Sequence, residues 1–342
     1  MPNSNGCVAK TPEHIILSRP DSIGDVMLTL PTAGLLKRAF PGIRITFLGR
    51  TYTRPVLACC AHVDEIITLE DLQADDPIAC LRAIQADALV HVFPHKAVAR
   101  WAKAAGIPIR IGTSHRWWHW TTCTHRVAFS RKRSPLHEAQ LNLKLLAPLL
   151  HVPTIGPGEL AGLSGFSAPP PAQRIAQWIG SGIRTVILHP GSKGSAVEWG
   201  LANFASLIHL LQDGSYTVIV TGTQAEAEHY RTVLPLNGPH IVDAGGALSL
   251  HELIGLIGAS TALVAASTGP LHIAAACGIR AIGLFSPRRP IHPGRWAPIG
   301  ADAHALVADP ACPTCAAGKP CDCIHRISPM RVKELIDAAP TR

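Results

Sequence analysis

The sequence predicts an α/β protein made of two doubly wound, Rossmann-like halves. Short apolar runs alternate with stretches of helical period along most of the chain, the pattern of parallel strands joined by crossover helices. Turns containing glycine, at 22–25, 190–195 and 267–270, each stand between a strand-like run and a helix-like one, where open α/β sheets bind ligands. Residues 151–171 are rich in Pro and Gly and keep no period, as an interdomain linker does. These signals place an N-terminal domain at 1–160, a linker at 161–175, a C-terminal domain at 176–310, and a cysteine-rich loop with a closing helix at 311–342. A chain of 342 residues is comfortable for two domains. Their strand ends would face each other across a cleft.

In the first half, His14-Ile15-Ile16-Leu17-Ser18 reads as a strand feeding the turn Ser22-Ile23-Gly24-Asp25 and then a helix. This is not the G-x-G-x-x-G dinucleotide fingerprint. It sets a carboxylate, Asp25, at the mouth of the turn. A carboxylate there either caps the helix or works as a general base at the carboxyl end of a strand. Strands follow at 44–49, 65–69, 88–93 and 109–112, with helices at 53–60, 81–85 and 97–105. The last helix carries Arg100 and Lys103, with Lys96 just ahead of it. From His115 the texture changes to a basic, aromatic loop: Arg116-Trp117-Trp118-His119-Trp120, then His125-Arg126 and Arg131-Lys132-Arg133. Aromatic residues among basic ones suit stacked bases, the wall of a site for a large anionic acceptor, or a loop anchored by its tryptophans. Residues 137–146 make a helix with an apolar stripe.

In the second half, residues 184–189 read as a strand, and Pro190-Gly191-Ser192-Lys193-Gly194-Ser195 as a turn able to wrap a diphosphate through N–H groups and hydroxyls. An ordinary surface loop has the same composition. Trp199 precedes a helix at 202–212, and residues 216–222 give the next strand and turn. Glu226 stands in the first turn of the following helix, placed to accept ribose hydroxyls or to complement the helix dipole. A helix is expected at 250–258, a strand at 262–266, a last strand at 281–285 and a closing helix at 328–339. Between the 262–266 strand and an Ala-rich helix lies Ser267-Thr268-Gly269-Pro270-Leu271-His272. A helix N-terminus offers unpaired N–H groups and partial positive charge, so this corner suits phosphate.

Formal net charge is +8, and 18 His add to it in mild acid, which favours an anionic partner. No apolar run reaches the length of a membrane span. The polar opening Met1-Pro2-Asn3-Ser4-Asn5-Gly6 lacks the basic-then-apolar order of a secretory signal. The expectation is a cytoplasmic protein whose ten Cys are mostly reduced.

Ser22-Ile23-Gly24-Asp25 followed by Leu30-Pro31, His189-Pro190-Gly191-Ser192 with Trp199, and Ser267-Thr268-Gly269-Pro270-Leu271-His272-Ile273-Ala274-Ala275 together resemble glycosyltransferase family 9, the ADP-heptose:lipopolysaccharide heptosyltransferases. The likeness runs from about residue 14 to 338. It implies a GT-B fold, an N-terminal domain holding the lipopolysaccharide core acceptor, and a C-terminal domain holding the ADP-sugar. It also implies an inverting transfer with no cofactor required for catalysis. On this likeness Asp25 is the general base. Gly191, Ser192, Lys193, Ser195, Ser267, Thr268, Gly269 and His272 surround the donor diphosphate and sugar, and Glu226 holds the ribose. Ser22, Gly24, Arg100, Arg116 and Trp117 are expected on the acceptor side. The anionic acceptor implies work at the inner face of the cytoplasmic membrane, and no nucleic acid is expected. Two departures bear on the sugar: Ser267 stands where many heptosyltransferases have an acidic residue, and Val197 where many have Lys.

Cys312-Pro313-Thr314-Cys315 and Cys321-Asp322-Cys323 place four thiols within twelve residues, enough to surround one tetrahedral ion such as iron or zinc in a structural role. Reduced cysteines in a loop are the plainer reading. Two other functions fit parts of the sequence: a nucleotide-sugar epimerase on the same fold, and a non-catalytic nucleic-acid binder resting on the charge and the 116–133 segment.

Overall fold

The first strand, β1 (His14–Ser18), is buried along its whole length, as expected of a parallel strand covered on both faces. The computed structural model describes residues 11–131, 134–179 and 183–340. Lys132, Arg133 and the polar stretch 1–6 of the sequence reading lie outside them. The chain divides into two units between Phe166 and Ser167.

The first unit holds β1, β2 (Arg44–Gly49), β3 (Glu65–Thr68), β4 (Ala88–His91), β5 (Ile109–Thr113) and β6 (His125–Val127). All pair in parallel, in the order β3-β2-β1-β4-β5-β6. The crossover helices start where side chains satisfy free N–H groups. Thr68 and Asp71 form a reciprocal cap on Leu69–Ala74, and Asp76 caps Pro77–Ala83. The 115–131 stretch is not simply a loop. It contains the short helix His119–Thr122 and the edge strand β6. Three residues are too few to show a period, so no strand signal is visible there. The structure fixes β6 through Ser114, whose N–H donates to Val127 O at 3.1 Å, and Thr124, whose N–H donates to Arg110 O at 2.9 Å. The stretch expected to begin the linker packs on this unit. A Cβ on Gly34 would lie 2.0 Å from Leu163 O, so the helix Leu30–Ala39 needs glycine there.

Strand ends in this sheet also bury a histidine pair. His91 and His119 stack with ring centroids 5.3 Å apart, and neither ring nitrogen of His91 has a hydrogen-bond partner. Burial pushes His91 down to about 3, against about 6.5 in an unfolded chain. The unfolded state therefore takes up a proton first as pH falls. Stability contributed by neutral His91 is full above about pH 6.5 and declines below it at roughly 1.4 kcal/mol per pH unit. Denaturant melts at pH 7 and pH 5 should show a smaller drop in His91→Leu than in the parent chain. Equal drops would mean that this ring is not neutral and buried in solution.

The second unit repeats the plan with β7 (Arg184–His189), β8 (Tyr216–Val220), β9 (Ile241–Asp243), β10 (Ala262–Ala266), β11 (Arg280–Leu284) and β12 (Ala303–Leu306), in the order β12-β11-β10-β7-β8-β9. Residues 281–285 are not the last strand. β12 lies outside β11, with Ala281 opposite Ala303. Its Ala-His-Ala-Leu sequence has weak strand propensity, and its place at the sheet edge leaves it only partly buried. Trp199 is fully buried and meets Phe204 edge-on at 5.0 Å, and Leu207, Ile208, Val332 and Ile336 join the same core. The closing helix Pro329–Asp337 is tied to the sheet, with Arg184 Nη1 donating to Asp337 O at 2.6 Å and Arg280 Nη1 to Leu335 O at 2.5 Å.

Counted from each unit's own first strand, both sheets run 3-2-1-4-5-6. The strand order reverses between β1 and β4 in one unit and between β7 and β10 in the other. Open α/β sheets bind ligands beyond the carboxyl ends of the strands at such a switch point. No helix among the described residues is long and apolar enough to cross a membrane.

Candidate functional site

In the first unit the chain leaves β1 at the switch point and turns through Arg19 into the short helix Ile23–Met27. Ser22 caps this helix, and its Oγ donates to Asp25 Oδ2 at 2.5 Å. Asp25 Oδ1 pairs with Arg19 Nη2. Both carboxylate oxygens are therefore held, while the side chain keeps 19% of its exposure. The cap of this turn is Ser22, and the Asp25 carboxylate is held by the Ser22 hydroxyl and Arg19 rather than by a backbone N–H.

Arg19 organises what surrounds it, and the sequence reading passed over it. Its side chain is 5% exposed. Nε donates to Asp21 Oδ1 at 2.9 Å, and Nη1 lies 3.4 Å from Glu138 Oε1 and 3.4 Å from Val92 O. Arg131 approaches from the other side, pairing with Glu138 and donating to Val92 O and Asn142 Oδ1, each at 3.2 Å. Asn142 Nδ2 in turn donates to Leu28 O at 3.0 Å. Two guanidiniums and three carboxylates thus hold the Asp25 turn. Burial raises the Asp21 carboxyl, with Arg19 opposing it. The available signal was charge type: Arg19 follows the apolar run Ile15-Ile16-Leu17 by two residues, and Glu138 opens an apolar-striped helix.

Ser22, Gly24 and Asp25 come together in this turn. Arg100, Arg116 and Trp117 belong to the elements after β4 and β5, the next two strands along the same sheet. There Trp117 is 64% and Trp120 62% exposed. Lys96 Nζ stands 4.8 Å from the Trp117 ring centre, Arg116 5.6 Å from that of Trp118, and Arg126 4.6 Å from that of Trp120. Arg100 is exposed on the helix Lys96–Ala104. Cations over exposed indoles make a face suited to anions that carry apolar surface.

In the second unit β7 ends at His189, opposite Ala265 of β10, so the 190–195 and 267–270 turns leave adjacent strands. His189 is buried, with Nδ1 3.0 Å from Thr221 Oγ1, and burial lowers its pKa. Glu226 lies against the first of these turns, where a Cβ on Gly191 would meet its Oε1 at 2.4 Å. Its Oε2 accepts from Thr223 N at 2.7 Å and Thr223 Oγ1 at 2.8 Å, closing a capping box on the helix Gln224–Tyr230. Burial would raise the Glu226 carboxyl, but Thr223 and the charge of His189 outweigh it and lower the pKa. Glu226 therefore has a structural duty as well as a place beside the turn.

Ser192 is turned inward. Its N–H and Oγ both donate to Glu198 Oε1 at 2.8 Å, and its carbonyl accepts from Ser195 Oγ at 2.7 Å. Lys193 and Gly194 take left-handed φ values of 49° and 75°, which costs Lys193 strain that Gly194 avoids. Both are exposed. In this conformation the turn spends its serine groups on itself, leaving Lys193 as its outward charge.

The second turn is open in the way an anion needs. Thr268 is the N-cap of the helix Gly269–Ala276 but makes no capping bond. It is 7% exposed, and its Oγ1 has no hydrogen-bond partner. Such a buried hydroxyl is rare and calls for a reason. Ser267 is half-buried beside it, and His272 lies buried one turn into the helix.

Apart from the turns described above, the Sγ atoms of Cys312, Cys315, Cys321 and Cys323 all lie within 4.8 Å of one another.

The chain matches the family model described as "Glycosyltransferase family 9 (heptosyltransferase)" over residues 79–325. It is 24% identical to lipopolysaccharide heptosyltransferase 3 of Escherichia coli, across 77% of this chain and 80% of that protein. The structure of E. coli ADP-heptose lps heptosyltransferase II superposes with a TM-score of 0.74 at 20% identity, covering 95% of this chain and 98% of that one. A glycosyl transferase family 9 structure from Veillonella parvula gives a TM-score of 0.77 at 17% identity, covering 98% of this chain and 100% of that one. These likenesses agree with two Rossmann-like domains of the GT-B type.

Proposed function

This chain belongs to glycosyltransferase family 9, and from that premise we propose that it moves heptose, or a related sugar, from an ADP-sugar to a lipopolysaccharide core acceptor with inversion at the anomeric carbon. The observation that carries the reading is Asp25, an outward-facing carboxylate whose two oxygens are fixed at the switch point of the first sheet. Relatives named as lipopolysaccharide and ADP-heptose heptosyltransferases support the choice of donor and acceptor.

In the proposed reaction an acceptor hydroxyl loses its proton to Asp25 as its oxygen attacks the anomeric carbon. The bond from that carbon to the diphosphate oxygen breaks on the opposite face, and ADP departs. Charge builds on the diphosphate, so donors aimed there stabilise the transition state. The N–H groups of the helix Gly269–Ala276, the Thr268 hydroxyl and the Lys193 ammonium are assigned that role, with Arg288, four residues past the end of β11, assigned as a second cation. This set neutralises the leaving group without requiring a metal. The Trp117 and Trp120 face with its cations is assigned to the anionic acceptor, and the proposed reaction is carried out at the inner face of the cytoplasmic membrane.

Thr268→Val tests the donor side because valine keeps the shape and removes only the hydroxyl. Calorimetric titration with ADP should show affinity weakened about tenfold, the worth of one hydrogen bond to a charged group. Tm should not fall, since the hydroxyl has no partner within the protein. Unchanged affinity with a lowered Tm would make the hydroxyl structural. Thermal shifts with ADP-, UDP- and GDP-sugars should rank the ADP-sugar first.

A further inference from the structure

We propose that Cys312, Cys315, Cys321 and Cys323 form a structural tetrathiolate site for one soft divalent ion, zinc or ferrous iron. The site would pin the irregular segment between β12 and the closing helix. Its place in the fold is independent of the transferase reading, and it shares no residue with either half-site.

The argument begins with what that segment lacks. Between Leu306 and Pro329 the chain forms only the single turns Pro313–Ala316 and Cys323–Arg326. Yet it delivers contacts on which the second core depends. Ile324 and Ile327 are buried against Trp199, Val332 and Ile336. Trp199 Nε1 donates to Ile327 O at 3.0 Å, and Asn203 Nδ2 donates to His325 O at 2.9 Å. So short a stretch of single turns has little means of holding its own shape.

The four thiols converge at the head of these contacts. Cys312 and Cys321 are 3.6 Å apart at sulfur, and Cys315 and Cys323 3.5 Å apart. All four are free cysteines, at spacings well beyond the ~2.05 Å of a disulfide. A tetrahedron of thiolates at the ~2.3 Å zinc–sulfur distance has sulfur–sulfur edges of about 3.8 Å. The observed cluster needs only slight adjustment to match it. Three of the four are buried. Ser286 Oγ, just past β11, lies 3.4 Å from Cys315 Sγ, an outer hydrogen bond of the kind that orients a metal-bound thiolate. Four sulfur ligands complete the coordination of either ion and leave no open position, so the role is structural.

The test uses the full chain, purified without chelator and in parallel under anaerobic conditions. Elemental analysis should find about one zinc or iron per chain, and titration with an organomercurial should release it in step with loss of four thiols. The two ions are told apart by that analysis and by the visible sulfur-to-iron charge-transfer absorption that appears when bound iron is oxidised to the ferric state and that zinc never gives. Cys312→Ser and Cys321→Ser should each lose the ion and lower Tm by at least about 5 °C. Should the variants fail to fold, metal release from the parent chain decides the matter. No stoichiometric ion, even after anaerobic reconstitution with Zn²⁺ or Fe²⁺, would overturn the proposal. So would two disulfides by mass spectrometry of the freshly purified chain.

Discussion

Asp25→Asn is expected to lower turnover by about 10²–10⁴-fold, the usual worth of a positioned general base, with Tm and ADP affinity little changed. Asparagine keeps the size of the side chain and an acceptor for the Ser22 hydroxyl, and Arg19 retains Asp21 and Glu138 as partners. The loss should fall on kcat rather than on donor KM, because the groups proposed to hold the donor belong to the second unit. Steady-state kinetics with a saturating ADP-sugar and a titrated acceptor separate the two. Turnover within threefold or so of the parent would remove Asp25 from the chemistry and leave it as a partner of Ser22 and Arg19.

Arg19→Met is expected to have the largest effect on stability. The guanidinium is buried, and its removal leaves Asp21, Asp25 and the fully buried Glu138 with Arg131 as their cation in this cluster. Breaking a buried ion pair from one side costs about 3–5 kcal/mol, because the remaining charge stays out of water. For a unit of this size that corresponds to a Tm lower by roughly 10 °C or more. Part of the loss should return as pH is lowered toward 5, since protonating the stranded carboxylates removes the uncompensated charge. A drop below about 1 kcal/mol at pH 7 would mean that water reaches this network in solution.

Much of this fold is legible in the residues, for identifiable reasons. β7 and β10 read correctly to the residue because each is built on an apolar run, Val186-Ile187-Leu188 in one and all of 262–266 in the other, followed by a glycine turn. β6 and β12 escaped because edge strands of three and four residues need little apolar surface and take their order from a neighbour already in place. In the site, local spacing pointed to Asp25 and to the 267–270 corner. Arg19, Arg131 and Glu138 were not legible, since they meet only after β1, β4 and the helix Glu138–Lys144 have packed. The inward turn of Ser192 was hidden for a related reason. A serine in a glycine turn looks like a phosphate contact until Glu198, six residues on, is seen to occupy it.

The closing helix Pro329–Asp337 has a practical bearing on how the second unit is handled alone. Because Arg184 at the start of β7 and Arg280 at the start of β11 both reach into its last turn, the opening edge of the sheet is fastened by residues from the far end of the unit. An expression boundary drawn where the sheet itself stops, near residue 306, would strip that fastening together with Ile324, Ile327, Val332 and Ile336 from the core that holds Trp199. A self-standing fragment has to run through residue 337.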